Sequence, residues 1–365
     1  MKKFKKAIKW FFIVLAGLIL FAVSFGFWFM SLLPTPPETA KDINASTRDE
    51  LPYLTENVIP YRGKILAVVT SADLMGSSGK STGYELTELS RAYYVFQANG
   101  FEVDVASPLG GLPPVVIDGD DMKEYDYAFL NDSDAQAKVK NSIAMADVEP
   151  DAYEAVYFVG GKGAMFDFPE NKHIQSLVSA YYESGKVVSA VCHGPAALVN
   201  VKLSDGSSLL ANKTVSSFTN AEELFLIPDA PQIFPFLLQD KLTENGARFN
   251  EGFLYLNTVS KDGNLVTGQN PWSTWEVAES VIAQLGYAPK PRFITREENS
   301  ISVLGTFEAE GYSKAKSTID QFCTEDALSI DREIIAVHSI VAAMQFELGK
   351  TINLIRLLSY SNGYL

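Results

Sequence analysis

The sequence predicts an α/β domain in which helices cover both faces of a mostly parallel sheet. Short apolar runs of strand length alternate with segments of helical spacing between residues 65 and 285, and this alternation is typical of βαβ units. One apolar run leads directly into Cys192 and then into a helical pattern opened by Gly194-Pro195, which indicates a strand–turn–helix junction. A doubly wound sheet of this kind is expected over residues 62–288, and about 230 residues suffice for one well-buried domain.

The elements of this domain follow from local patterns, with continuous apolar runs taken as buried strands and amphipathic stretches as helices. They are, in chain order, strand 65–69, helix 84–98, strands 101–105 and 155–159, helix 173–184, strand 187–191, strand 264–267 and helix 273–285.

The N-terminal segment predicts a membrane anchor. Five lysines lie within residues 1–9, and an uncharged, largely apolar stretch follows over residues 10–33, which is enough to span a bilayer as a helix. The stretch ends in bulky residues, unlike a signal-peptide cleavage site, and the lysine bias places the N-terminus in the cytoplasm. We therefore expect a single-pass protein of the cell membrane, with a linker over 34–61 and an extracytoplasmic catalytic domain.

Helical spacing without strand signals characterises residues 289–365. Three helices are expected, near 302–322, 326–346 and 351–360. We expect this extension to form a cap or a dimerisation element, and a homodimer is one possible assembly.

The charge balance excludes one class of partner. The chain has 30 basic and 44 acidic residues, and the five lysines of the first segment are its only charges before residue 34. The rest of the chain therefore carries a net charge of −19, whereas nucleic-acid binding requires clustered lysine and arginine. No nucleic-acid partner is expected.

Cys192 is the candidate nucleophile. A side chain on a strand–turn–helix junction projects from the end of the sheet, as in the nucleophile elbow of hydrolases. The start of the following helix favours the thiolate, which is the reactive form of cysteine. The alternative, a cysteine buried as a small apolar residue, does not explain the adjacent His193. Two cysteines, Cys192 and Cys323, do not make a disulfide framework.

Five motifs occur in an order that resembles the PfpI superfamily, whose fold is the flavodoxin-like one of class I glutamine amidotransferases. Within that superfamily the chain is most similar to the branch of stress proteins and glyoxalase III-like enzymes. The motifs cover roughly residues 63–286 and are Thr82-Gly83-Tyr84-Glu85-Leu86-Thr87-Glu88-Leu89, Ala106-Ser107-Pro108-Leu109-Gly110-Gly111, Gly160-Gly161-Lys162-Gly163-Ala164-Met165-Phe166-Asp167, Ala190-Val191-Cys192-His193-Gly194-Pro195 and Thr267-Gly268-Gln269-Asn270-Pro271.

The resemblance implies a set of roles. Cys192 is the expected nucleophile, His193 its imidazole partner, and Glu88 the carboxyl group beneath the thiol, with Glu85 one turn away as the residue most easily confused with it. A further carboxylate orients the histidine; Glu222 is slightly favoured here over Glu223. The backbone N–H groups of Gly161 and His193 are the expected oxyanion donors.

Two departures from the family pattern fall at the expected rim of the pocket. Lys162 stands where the family usually has histidine, and Arg91-Ala92 replaces a His-Pro pair. Both affect the expected substrate more than the expected nucleophile.

Metal and nucleotide cofactors are not expected. The three histidines, at 173, 193 and 338, are scattered, and no Cys/His cluster has zinc spacing. Gly79-Lys80-Ser81 imitates a phosphate-binding loop, but the required upstream glycine is Leu74.

The sequence is compatible with three functional classes. The first is a cofactor-independent cysteine enzyme acting on small reactive carbonyls, converting methylglyoxal to D-lactate as in glyoxalase III. The second is a cysteine hydrolase of peptide or amide bonds. The third is a stress chaperone or redox sensor in which Cys192 is oxidised.

Overall fold

The computed structural model describes residues 2–33, 42–119, 121–324 and 329–364 of the 365-residue chain. It divides into two compact units. The α/β unit comprises Lys41–Phe293, and the helical unit comprises Met1–Ala40 with Ile294–Leu365.

The α/β unit is built on one large sheet of seven strands. Their order across the sheet is β10-β11-β7-β6-β1-β3-β5, and every neighbouring pair is parallel except β10 and β11. Two small parallel pairs, β2–β4 and β8–β9, lie outside this sheet. The strands are β1 Gly63–Val68, β2 Tyr84–Glu85, β3 Phe101–Ser107, β4 Val115–Val116, β5 Ile143–Ala144, β6 Ala155–Phe158, β7 Val187–Val191, β8 Thr214–Val215, β9 Arg248–Phe249, β10 Val259–Asp262 and β11 Leu265–Gly268.

Helices cover both faces of this sheet. The helices of the α/β unit are α2 Pro52–Thr55, α3 Leu86–Ala98, α4 Glu124–Asn131, α5 Ser133–Lys140, α6 Ala164–Asp167, α7 Lys172–Ser184, α8 Asn220–Leu226, α9 Ala230–Ile233, α10 Leu238–Glu244 and α11 Thr274–Gln284. Those of the helical unit are α1 Lys2–Met30, α12 Arg296–Glu310, α13 Tyr312–Cys323, α14 Arg332–Met344 and α15 Leu348–Ser361. Alternate residues of the central strands enter two separate cores: Ile65 and Ala67 pack with α3 and α11, whereas Leu66 and Val68 pack with α7. The predicted α/β class with a mostly parallel sheet is confirmed.

The sheet positions the candidate site at the carboxyl ends of its central strands. Strands β6, β7 and β11 are neighbours, and the segments that follow them begin at Val159, Cys192 and Gln269. Ligands bind at this edge in open α/β sheets.

Part of the predicted linker belongs to the α/β unit. Residues 34–41 lie outside the described part of the chain. Beyond them, a short helical turn and α2 carry Leu51, Tyr53 and Leu54 into the core, each at most 6% exposed.

Over its described residues, the helical unit contains four helices after residue 294, whereas three were expected. The prediction of a helical C-terminal region is confirmed. Gly311 has a φ of +85° and separates α12 from α13. This left-handed conformation suits glycine and ends the first helix. The helix predicted near 326–346 begins at Arg332. Asp331 is its N-cap residue, and the Asp331 side chain accepts a hydrogen bond from the backbone N–H of Glu333.

The predicted membrane anchor is corrected by the structure. A membrane-spanning helix needs about 20 consecutive apolar residues. Across the described residues, no helix combines the length and apolarity that a span requires. The single-pass location, the cytoplasmic N-terminus and the membrane as a partner are therefore not supported.

Candidate active site

The structure places Cys192 on a sharp turn directly after β7. Its φ is +58°, a strained conformation for a residue other than glycine. The Cys192 N–H donates to the Gly268 carbonyl at 3.0 Å, and its own carbonyl accepts from Phe218 N at 2.9 Å. These bonds fix the backbone on both sides of the turn. The Cys192 side chain is 4% exposed.

Gly194 makes this turn possible. A Cβ atom at Gly194 would lie 2.3 Å from the Phe158 carbonyl oxygen, which is far inside van der Waals contact. The chain after Cys192 therefore passes directly against β6, and a short helical turn over Gly194–Leu198 follows.

His193 connects the thiol to a carboxylate. Its Nδ1 lies 3.3 Å from Cys192 Sγ, and its Nε2 lies 2.6 Å from Glu223 Oε2. The Glu223 side chain is buried, which by itself would raise its pKa, but the adjacent His193 lowers the pKa below the usual value. Cys192, His193 and Glu223 thus form a continuous chain of contacts with an ionised carboxylate at its end.

The carboxylate that contacts the histidine differs from the expected one. Sequence reasoning favoured Glu222, whereas the structure places Glu223 there. The Glu222 carboxylate accepts hydrogen bonds from Thr219, Tyr255, Gln269 and Asn270. It is the N3 residue of a capping box whose N-cap is Thr219, and this reciprocal bonding turns its side chain back along the helix start. The Thr-x-x-Glu spacing was the available signal.

Glu88 lies in the first turn of α3 and is completely buried beside Cys192. Its Oε2 accepts a hydrogen bond from Gly160 N at 2.7 Å, and its carboxyl group is within hydrogen-bonding reach of the thiol. Burial, followed by the nearby Glu85 carboxylate, raises the pKa of Glu88 well above its usual range. The raised pKa favours the protonated form of Glu88.

The protonation of Glu88 governs the state of the thiol. Burial raises the pKa of Cys192, and an ionised Glu88 would raise it further. A protonated Glu88 removes that repulsion and offers an O–H donor to the thiolate instead. A Cys192 thiolate is therefore favoured only beside a protonated Glu88.

The glycine-rich loop after β6 packs directly against Glu88 and Cys192. A Cβ atom at Gly160 would lie 2.6 Å from Glu88 Oε2 and 2.8 Å from Cys192 Cβ, so only glycine fits there. Gly161 has a φ of +92°. Neither Gly161 N–H nor His193 N–H donates a hydrogen bond within the described part of the chain, as expected of groups that are available to a developing oxyanion.

The two residues expected at the rim have different surroundings. Arg91 is 4% exposed, and its guanidinium lies 3.1 Å from Asp126 and donates to the Asp121 carbonyl. It is a buried ion pair, not an open rim residue. Lys162 is half-buried. Its positive charge opposes the rise in the pKa of Cys192 and Glu88 and adds to the lowering of the pKa of Glu223. Glu85, which the sequence left as a second candidate for the role of Glu88, lies partly buried near Lys162.

No group of three or more His, Cys, Asp or Glu side chains is arranged to hold a metal ion within residues 2–33, 42–119, 121–324 and 329–364.

Comparison with known proteins places this site in a family. The model of the DJ-1/PfpI family matches residues 80–226. Glyoxalase 3 of Candida albicans is 30% identical over 235 residues, which cover 60% of this chain and 96% of that protein. The glutathione-independent glyoxalase HSP31 of Saccharomyces cerevisiae is 30% identical over 233 residues, covering 59% of this chain and 94% of that protein.

Two crystal structures show the same fold. The 24 kDa rapid encystment protein of Francisella tularensis is 36% identical, with a TM-score of 0.58, and the match covers 61% of this chain and 99% of that one. Glyoxalase III of Candida albicans is 29% identical, with a TM-score of 0.56 and coverage of 61% and 97%. On its sequence and its fold, the chain belongs to the DJ-1/PfpI family.

Proposed function

We propose that this protein is a glutathione-independent glyoxalase that converts methylglyoxal and water to D-lactate. The observation that carries the proposal is the buried arrangement of Cys192 with Glu88 on one side and the His193–Glu223 pair on the other. Relatives named glyoxalase 3 and glutathione-independent glyoxalase align over nearly their whole length, which supports an enzyme of the same type.

The first step uses the nucleophile. The Cys192 thiolate adds to the aldehyde carbon of methylglyoxal, and the carbonyl oxygen becomes an alkoxide that takes up a proton to give a hemithioacetal. The N–H groups of Gly161 and His193, which donate no hydrogen bond within the described residues, would stabilise the developing negative charge. A covalent thiol adduct divides one difficult reaction into easier steps.

The second step moves a proton between the two carbons. The C–H bond of the hemithioacetal carbon loses its proton, and the electron pair passes to the ketone as an enediolate. Protonation of the former ketone carbon then gives a lactate thioester on Cys192. Glu88 and His193 are the two acid–base groups beside the sulfur, and Glu223 stabilises a positive charge on His193.

Water completes the reaction by hydrolysing the thioester to D-lactate and the free thiol. The aldehyde carbon is oxidised and the ketone carbon reduced within one molecule. No external oxidant or reductant is consumed.

The function is tested by incubating the purified full-length protein with methylglyoxal in the absence of glutathione. We expect D-lactate, detected enzymatically, to form in an amount equal to the methylglyoxal consumed. The rate of its formation should be well above the rate without protein. Consumption of methylglyoxal without D-lactate, or cleavage of peptide or amide substrates in its place, would contradict the proposal and favour a cysteine hydrolase.

A further inference from the structure

Lys162 is the only side chain in the four-residue loop 160–163, whose other members are glycines. This loop packs against the segment that begins α3. The Glu85 N–H donates to the Gly160 carbonyl at 3.2 Å, and a Cβ atom at Gly161 would lie 2.4 Å from the Gly83 carbonyl oxygen. Lys162 therefore lies at the same edge of the sheet as Cys192, and its charge acts on the thiol.

The Lys162 ammonium group is not committed to a partner. It has no ion pair or hydrogen bond with any described residue, although its side chain is half-buried. Arg91, by contrast, is held by Asp126 at 3.1 Å. A partly buried cation without a fixed partner, beside a nucleophile, is available to an anionic group on a ligand.

Glu85 cancels this positive charge only in part. Its carboxyl group lies in the neighbouring segment, and burial raises its pKa to about 7 although Lys162 opposes the shift. At neutral pH it is therefore protonated in a large fraction of molecules.

We propose that Lys162 determines substrate specificity by binding a carboxylate, so that the site prefers 2-oxoaldehydes with an acidic side chain over neutral ones. This inference rests on the proposed glyoxalase function and names its substrate class. The reaction keeps the same balance: the 2-oxoaldehyde and water become a 2-hydroxy acid, with the aldehyde carbon oxidised and the ketone carbon reduced. Lys162 takes no part in bond making.

The test compares an acid with its neutral ester. 4,5-Dioxopentanoate is a 2-oxoaldehyde that carries a carboxylate, and its methyl ester lacks only the charge. We expect kcat/KM of the full-length protein to favour the acid by about tenfold or more, as a charge-assisted hydrogen bond would provide. In Lys162→Met this ratio should fall to about one, and in Lys162→Arg most of it should remain.

Lys172→Met is the matched control. It also removes one lysine charge, but Lys172 is exposed at the start of α7. The ratio should be unchanged in this variant. A ratio that is insensitive to Lys162→Met, or equally sensitive to Lys172→Met, would overturn the inference.

A binding measurement separates this inference from the proposed function. 2-Hydroxyglutarate, the expected product, should slow the alkylation of Cys192 by iodoacetamide in the unmodified protein, and about tenfold more should be needed in Lys162→Met. Absence of protection would overturn the inference. Protection without turnover of any 2-oxoaldehyde would support the carboxylate site and reject the glyoxalase function. Turnover without preference for the acid would support the glyoxalase function and reject the carboxylate site.

Discussion

At the scale of single residues, the site is organised by two buried acidic groups that lie side by side, Glu88 and Cys192. Glu88 is fully buried, and its pKa is raised well above the usual value by burial and by Glu85. Cys192 is also buried. Burial raises the pKa of both groups, and two adjacent negative charges are costly in such surroundings. A thiolate therefore forms beside a protonated Glu88, which is the form that activates sulfur.

The pH dependence of alkylation tests this arrangement. In Glu88→Gln, the carboxylic O–H donor is replaced by a weaker amide donor, so the thiolate loses stabilisation. We expect the midpoint of the rate of iodoacetamide alkylation of Cys192 to move to higher pH in this variant. Cys323, which is equally buried in the helical unit, provides the internal control and should react far more slowly in both proteins. A midpoint that moves to lower pH would show that Glu88 is ionised.

The neighbouring carboxylates Glu222 and Glu223 should respond differently to the same substitution. Glu223→Gln removes the charge that supports His193, and we expect kcat/KM for methylglyoxal to fall on the order of a hundredfold. In Glu222→Gln, a neutral amide replaces the carboxylate that accepts hydrogen bonds from the side-chain amides of Gln269 and Asn270. We expect that change to lower the free energy of unfolding by about 1–3 kcal/mol.

Thermal unfolding and steady-state kinetics on both variants separate the two roles. The reverse pattern, with the larger kinetic loss in Glu222→Gln and the larger loss of stability in Glu223→Gln, would mean that the two assignments must be exchanged.

The residue types of the site were more predictable than their exact pairing. Cys192, His193 and Glu88 follow from motifs that are local in sequence, and the structure brings all three together. The partner of His193 depends on a contact 30 residues away, and adjacent glutamates on one helix differ only in the direction of their side chains. That direction is set by the capping bond of Glu222 to Thr219.

At the scale of elements, the loop after β6 is shaped by glycines that leave no space for a side chain. A methyl group at Gly160 would contact Glu88 Oε2, the Val191 carbonyl and Cys192 Cβ, all within 2.8 Å. We expect Gly160→Ala to lower the free energy of unfolding by about 3 kcal/mol, measured by chemical denaturation, and to lower kcat/KM because Glu88 is displaced from the thiol.

Gly305→Ala is the matched control for this substitution. Gly305 lies inside α12, and a Cβ atom there meets nothing within 4 Å. Because alanine is a better helix former, this variant should gain about 1 kcal/mol. Equal effects of the two substitutions would contradict the packing argument.

Apolar periodicity predicted the long strands and helices within a few residues, because buried runs such as 187–191 leave little choice of structure. The two-residue strands β2, β4, β5, β8 and β9 and the four-residue strand β10 were not predicted. Each of the two-residue strands pairs with a segment distant in sequence, so no local pattern marks it. The positive φ of Gly311 likewise divided one predicted helix into two.

At the scale of the whole molecule, every residue assigned to the site lies in the α/β unit, Lys41–Phe293. Two large apolar cores lie within that unit. We therefore expect a fragment of residues 42–293 to fold and to keep kcat/KM for methylglyoxal within about threefold of the full chain, since hydrophobic burial is the dominant stabilising contribution.

Circular dichroism and the D-lactate assay on the fragment check this expectation. A folded fragment that has lost activity would show that the helical unit contributes to the site, and an unfolded one would show that the two cores are insufficient.

The central claim is that Cys192 is the nucleophile of a glutathione-independent glyoxalase, and the matched pair Cys192→Ala and Cys323→Ala tests it most directly. Both replace a buried cysteine with the same residue. In the absence of glutathione, we predict that kcat/KM for D-lactate formation falls by about a thousandfold or more in Cys192→Ala, as expected for loss of a nucleophile. It should change less than about twofold in Cys323→Ala, where no reacting group is lost. Equal rates in the two variants and the unmodified protein would contradict the account.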